Sequence, residues 1–146
     1  MTVARILAEK GRDVFTTQPH RTLKEVIDLL AARGVGAVVV ADASMNVLGI
    51  LSERDVVRAF AKDGARLAER RVRDLMTRDV VTCGIDATML DAERLMNKHK
   101  IRHMPVVDGG KLVGMLSIRD IMVWRQQEAR EEVNVLRDAM IAVRNR

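Results

Sequence analysis

Aromatic side chains are nearly missing from this chain, which has two Phe, one Trp and no Tyr among its 146 residues. A surface that holds nucleic acid by base stacking needs aromatic platforms, so their scarcity argues against that class. The single cysteine, Cys83, excludes an internal disulfide framework and fits a reducing compartment. No neighbour in sequence would lower its pKa, so it reads as a small buried residue. Long apolar runs are also missing. The longest, Val35 to Ala41, is far short of the about 20 residues that cross a bilayer. The N-terminus lacks the unbroken apolar stretch of a secretion signal, and the expectation is a cytoplasmic protein with no membrane contact.

Charge of one sign is not concentrated either. The 25 Lys and Arg are interspersed with 20 Asp and Glu, giving +5. This suits an anionic ligand better than a nucleic acid. The nearest cluster is Arg66, Arg70, Arg71 and Arg73, which reads as a solvated linker helix. His20, His99 and His103 form no metal-ligand spacing with Cys83. With no nucleophile–base pair and no metal constellation, the chain is expected not to be an enzyme, with no catalytic residues, no metal and no catalytic cofactor. The nine Met fall mostly on helical apolar faces and read as core.

What is present is a duplication. When Val14-Phe15-Thr16 is laid on Val80-Val81-Thr82, Thr22 meets Thr88, Leu29 meets Leu95, Val40 meets Val106 and Asp42 meets Asp108. After a one-residue difference, Gly49-Ile50-Leu51-Ser52-Glu53-Arg54-Asp55 falls on Gly114-Met115-Leu116-Ser117-Ile118-Arg119-Asp120. Each copy predicts a short strand (Val14–Thr16, Val80–Cys83) and a helix opened by a Thr-x-x-acid capping box, Thr22 with Glu25 and Thr88 with Asp91. Two strands in a hairpin follow, then a last helix. The near-continuous apolar runs Gly36–Ala41 and His103–Val107 predict strands buried on both faces, leading into Val47–Leu51 and Lys111–Leu116. The order is βαββα twice, an α+β chain, with short helices Val3–Glu9 and Leu67–Met76 before the units. The expected division is 1–63 for the first unit with its N-terminal helix, 64–77 for a linker helix, 78–124 for the second unit and 125–146 for a helical extension. In that extension Ala129, Val133, Leu136, Met140 and Val143 form a heptad stripe, suited to a partner subunit or to the chain's own body.

The repeated S-x-R-D turn has two readings. Ser52 and Ser117 sit where an N-cap belongs, with Asp55 and Asp120 at N3, so helix capping explains them without a ligand. Against this, Asp is short for reaching back to the cap. The functional reading uses the free N–H groups and positive dipole end of the helix as an anion site. Arg54 or Arg119 supplies charge-assisted contacts, and Asp55 or Asp120 accepts from a ribose diol. Gly49 and Gly114 let a ligand approach the backbone.

Together with Val80-Val81-Thr82 and the run His99 to Asp108, the G-h-h-S-x-R-D turns make residues Val3 to Trp124 resemble a tandem pair of CBS domains, the family named for cystathionine β-synthase. The resemblance implies two units related by a pseudo-twofold axis, two clefts between them, and usually a disc-like homodimer. It assigns one cleft to Gly49, Ser52, Arg54, Asp55, Thr77, Val80, Val81, Ile101, Arg102, His103 and Pro105. The other takes Gly114, Ser117, Arg119, Asp120, Val14, Phe15, Val35, Gly36 and Ala37. Arg102 and His103 resemble the basic pair that meets phosphates in kinase-regulating relatives. Gly36 and Ala37 stand there in the other half, and Val39 replaces the Pro seen at Pro105, so the sites are expected to be unequal. The implied function is a regulatory module for an adenine nucleotide, AMP, ADP or ATP, with NAD(H) or an adenosyl ligand as alternatives, acting on an unidentified regulated protein. A structural or interaction module with empty clefts is the competing reading, and nucleic-acid binding by the Arg66–Arg73 segment is a weaker one.

Overall fold

The computed structural model describes residues 1–146. The first half contains α1 (Val3–Lys10), β1 (Thr16–Thr17), α2 (Leu23–Arg33), β2 (Ala37–Ala41), β3 (Val47–Ser52) and α3 (Glu53–Asp63). A 3-10 turn (Gly64–Glu69) and α4 (Val72–Leu75) join it to β4 (Cys83–Gly84), α5 (Met89–His99), β5 (His103–Asp108), β6 (Lys111–Ser117) and α6 (Ile118–Arg144). Two three-stranded sheets result, β1-β2-β3 and β4-β5-β6, each with a parallel first pair and an antiparallel hairpin. The α+β duplication read from the sequence is therefore the architecture.

β2 is buried at every residue, as its unbroken apolar run predicts. β5 is buried only through Met104, Pro105 and Val106; His103 and Val107 at its ends are half-buried. The first strands begin later than the sequence suggests, at Thr16 and Cys83 rather than Val14 and Val80. The predicted linker helix Leu67–Met76 is broken, because Arg70 and Arg71 are extended. They pair with the stretch before α2, where Leu23 N–H donates to the Arg70 carbonyl at 2.8 Å and Val72 N–H to that of Arg21 at 2.9 Å.

The leading helices cross over. Val3, Ile6 and Leu7 of α1 belong to the core built by α5, β5, β6 and Trp124 of the second half. Leu67 and Val72 of the connection complete the core of the first half. The backbone repeats the exchange, with Val3 N–H donating to Ala87 as Val72 N–H does to Arg21. α1, grouped with the first unit by sequence position, thus packs in the second. Every residue of the extension from Arg125 onward is exposed, and Arg125 itself reaches back to Glu93 of α5.

Candidate functional site

Each S-x-R-D turn is the junction of a hairpin's second strand with the following helix. Ser52 and Ser117 are N-caps in extended conformation, accepting from the N–H groups of Asp55 and Asp120 at 3.4 and 3.3 Å. Both aspartates reach back, Asp55 Oδ2 accepting from Ser52 N–H at 2.8 Å and Asp120 Oδ2 from Ser117 N–H at 2.8 Å. The reciprocal box thus forms with the short residue. At Thr22 and Thr88 the sequence predicts a full box, but the structure has only one-way caps, with the N–H groups of Glu25 and Asp91 donating to the threonines. Glu25 turns instead toward Arg21. Capping does not exhaust the aspartates. In each the Oδ1 oxygen has no protein partner, and an ionised carboxylate has about four acceptor sites.

Around the first turn the chain encloses a cavity of about 230 Å³. Of the residues assigned to this cleft, Ser52, Arg54, Asp55, Thr77, Val80, Val81, Ile101, Arg102 and His103 line it. Gly49 does not, because a side chain there would meet Met76 Sδ at 2.7 Å and the Thr77 carbonyl at 3.0 Å. Its missing Cβ admits the chain's own connection, not a ligand. Gly36, assigned to the other cleft, also lines this one, with the His103 ring 3.1 Å from where its Cβ would stand. Ile50, Glu53, Arg58, Asp79 and Lys100 complete the wall. Of these, Arg58 was findable in the sequence, one helical turn beyond Arg54.

Pro105 is buried behind the wall. In the first half Val39 N–H donates to the Phe15 carbonyl at 3.1 Å. Pro105 occupies the matching position and has no N–H, so the carbonyl of Val81, a residue that lines the cavity, lacks the backbone donor that Phe15 has.

The second turn is built differently. Gly114 is covered by Leu7, whose Cδ1 lies 2.8 Å from a Cβ built there. Lys10 Nζ donates to Asp120 Oδ2 at 2.6 Å and to the Met115 carbonyl at 2.8 Å. In the first half Leu7 is matched by Met76, so Lys10 is matched by Asp79, and the Ile50 carbonyl accepts Thr77 N–H at 3.0 Å instead. Of the strand-side residues assigned here, Phe15 and Val35 pack on the first core and Ala37 is buried in β2. Val14 is half-buried and Arg119 exposed.

Electrostatically the first cleft sets Arg54, Arg58, Lys100 and Arg102 against Glu53, Asp55 and Asp79. Burial lowers the His103 pKa below the ordinary 6.5, opposed by the nearby Glu53 and Asp120 and assisted by Arg102 and Lys10. The folded state therefore resists protonation, the unfolded chain takes up the proton first, and stability declines as pH falls through about 6.5. Urea unfolding at pH 7.5 and 5.5 should show a smaller loss in His103→Gln than in the parent; equal losses would remove His103 from the account. Cys83 is buried, and desolvation pushes its thiol up to about 11, so it carries no nucleophile.

A family model described as the CBS domain matches residues 4–62 and 72–126. Four curated relatives are 33 to 35% identical over 106 to 112 residues, and the chain spans only 22 to 65% of their length. A CBS-domain containing protein of Agrobacterium tumefaciens, solved by crystallography, is 40% identical with a TM-score of 0.81, covering 86% of this chain and 99% of its own. Two more distant crystal structures share the fold. A CBS domain pair in complex with 5′-methylthioadenosine and S-adenosyl-L-methionine has 22% identity and a TM-score of 0.78, covering 88% of this chain and 98% of its own. CBSX2 in complex with AMP has 24% identity and a TM-score of 0.72, with the same coverages of 88% and 98%.

Proposed function

The chain belongs to the CBS domain family, and from that premise we propose that it is a regulatory module holding an adenine nucleotide, AMP, ADP or ATP, in its first cleft. NAD(H) and adenosyl compounds share the same adenosine handle. The observation that carries the reading is the free set of groups converging there. Asp55 Oδ1 accepts from a ribose diol, and Arg54, Arg58, Lys100 and Arg102 ring the mouth for phosphate. Between them the Val81 carbonyl, left open by Pro105, accepts from the adenine amino group while Ile50, Val80 and Ile101 supply apolar wall. Adenosine ligands in two relatives of this fold support the assignment.

The cavity of about 230 Å³ is smaller than the roughly 300–1,000 Å³ of ordinary ligand pockets. A nucleotide therefore enters by parting the walls that the two halves contribute. That differential affinity for an opened pose is what a regulatory module needs. The outer faces of α3 and α6 expose Val57, Phe60 and Met122, which supports assembly as a homodimer through the bodies.

Calorimetric titration of the intact chain with AMP, ADP, ATP and NADH tests the function. Saturable binding of at least one is expected, and silence from all four would leave the clefts structural. Pro105→Val supplies the N–H that Val39 supplies in the first half. It should close the Val81 carbonyl and weaken adenine nucleotides about tenfold, the weight of one hydrogen bond of ~1–1.5 kcal/mol. An unchanged affinity would take the carbonyl out of the site. The Arg66–Arg73 segment gives the nucleic-acid reading little support, since Arg70 is bonded to Asp63 and Arg71 to the His20 carbonyl.

A further inference from the structure

The C-terminal half of α6 presents an apolar stripe with nothing over it. Val133, Leu136, Met140 and Val143 are between 54 and 73% exposed. With Ala129 they step 4-3-4-3 along the helix, the spacing of a coiled-coil seam, with Val133 and Met140 at a and Ala129, Leu136 and Val143 at d. This stretch lies beyond residue 126, where the family match ends.

The charges beside the seam choose both the occupant and its direction. The e positions are Arg130, Arg137 and Arg144, and the g positions are Arg125, Glu132 and Ala139. An antiparallel pair sets e against e, arginine against arginine along the whole edge. A parallel pair sets each g against the next e of the other helix. Glu132 then meets the partner's Arg137, and symmetry makes that contact twice. Arg125, which would oppose the partner's Arg130, is already paired with Glu93 and Glu128. A β-branched residue at a with Leu at d, as at Val133 and Leu136, favours two strands.

We propose that residues 125–144 form a parallel, in-register, two-stranded coil with the same segment of a second copy of this chain. The proposal does not depend on which ligand, if any, occupies the clefts. The pairing ties the two bodies together at their α6 ends.

Disulfide trapping in the full chain tests it. Cys83 is buried and stays out of the chemistry. Ala129→Cys and Leu136→Cys place thiols at d positions that face their own copies in a parallel pair. Mild oxidation should join these chains at least about tenfold faster than Asp138→Cys, which lies on the outer side of the helix. Sedimentation then reads the charges: Glu132→Arg should loosen the dimer, and adding Arg137→Glu to that variant should restore it. A monomeric parent chain, a tetramer, equal trapping at all three cysteines, or no rescue by the second charge would each overturn the parallel pair.

Discussion

Asp55→Asn is expected to remove nearly all the stabilisation that an adenine nucleotide confers on the intact chain. In the parent, ligand at about 100 times its dissociation constant adds roughly 2.7 kcal/mol, which raises the melting midpoint of a chain this size by roughly 5–10 °C. Asparagine keeps an oxygen for Ser52 N–H, the contact Asp55 Oδ2 now makes at 2.8 Å, so the helix keeps its cap. What changes is the side facing the cleft, where a charged acceptor becomes an amide whose N–H₂ repels the donors of a ribose diol. Hydrogen bonds to a charged group are worth about 1.5–3 kcal/mol each, so affinity falls by roughly a hundredfold. The same ligand concentration then sits near the dissociation constant, and the stabilisation shrinks to about 0.4 kcal/mol. The measurement compares ligand-dependent shifts, not midpoints of the free proteins. A variant that melts lower yet keeps its full shift would make Asp55 a helix cap and nothing more.

The architecture was legible because the duplication is visible in residues that only a repeated backbone aligns: the paired threonines before α2 and α5, the glycines before each S-x-R-D turn, and the unbroken Val38-Val39-Val40. Most of the first cleft was legible for the same reason, since its turn and facing strand are motifs local in sequence. What escaped were contacts between distant segments. Leu7 covers Gly114 and Lys10 meets Asp120 across 110 residues, and no local periodicity encodes where α1 docks. That Gly36 also lines the first cleft follows from the side chain of His103, which needs the room left by a missing Cβ. The aspartate boxes were underrated on length. The extended N-cap, with φ of −107° and −110°, brings the serine N–H within reach of the shorter side chain. Pro105 was legible as a residue but not as a missing donor, which becomes apparent only when Val39 is seen bonding to Phe15.

Lys10→Met is expected to change the number of nucleotides bound per chain from one to two. The two turns carry the same serine, arginine and aspartate and differ in what stands over the aspartate. At the first turn the position matching Lys10 is Asp79, and Asp55 accepts only from the Ser52 backbone N–H and hydroxyl. At the second, an ammonium sits 2.6 Å from Asp120 and also holds the Met115 carbonyl at 2.8 Å. A ribose arriving there finds the carboxylate already neutralised by an ammonium, between side chains only 32 and 17% exposed, so the remaining Oδ1 is a weaker acceptor for a sugar hydroxyl than its counterpart on Asp55. Methionine keeps the length and apolar stem of lysine without the cation, so α1 keeps its packing through Val3, Ile6 and Leu7 while Asp120 is released. Lys10→Arg is the control, since it retains a cation over the carboxylate and should stay at one equivalent. Calorimetric stoichiometry reads both, with circular dichroism to verify the fold. Two equivalents in the parent, or one in Lys10→Met with the first site intact, would mean that something other than Lys10 separates the two turns. Because Lys10 lies at the end of the helix that the first half lends to the second, the difference between the two turns follows from the crossover itself: the segment that completes one core also sets an ammonium over that half's aspartate, while Asp79 stands at the matching position in the other.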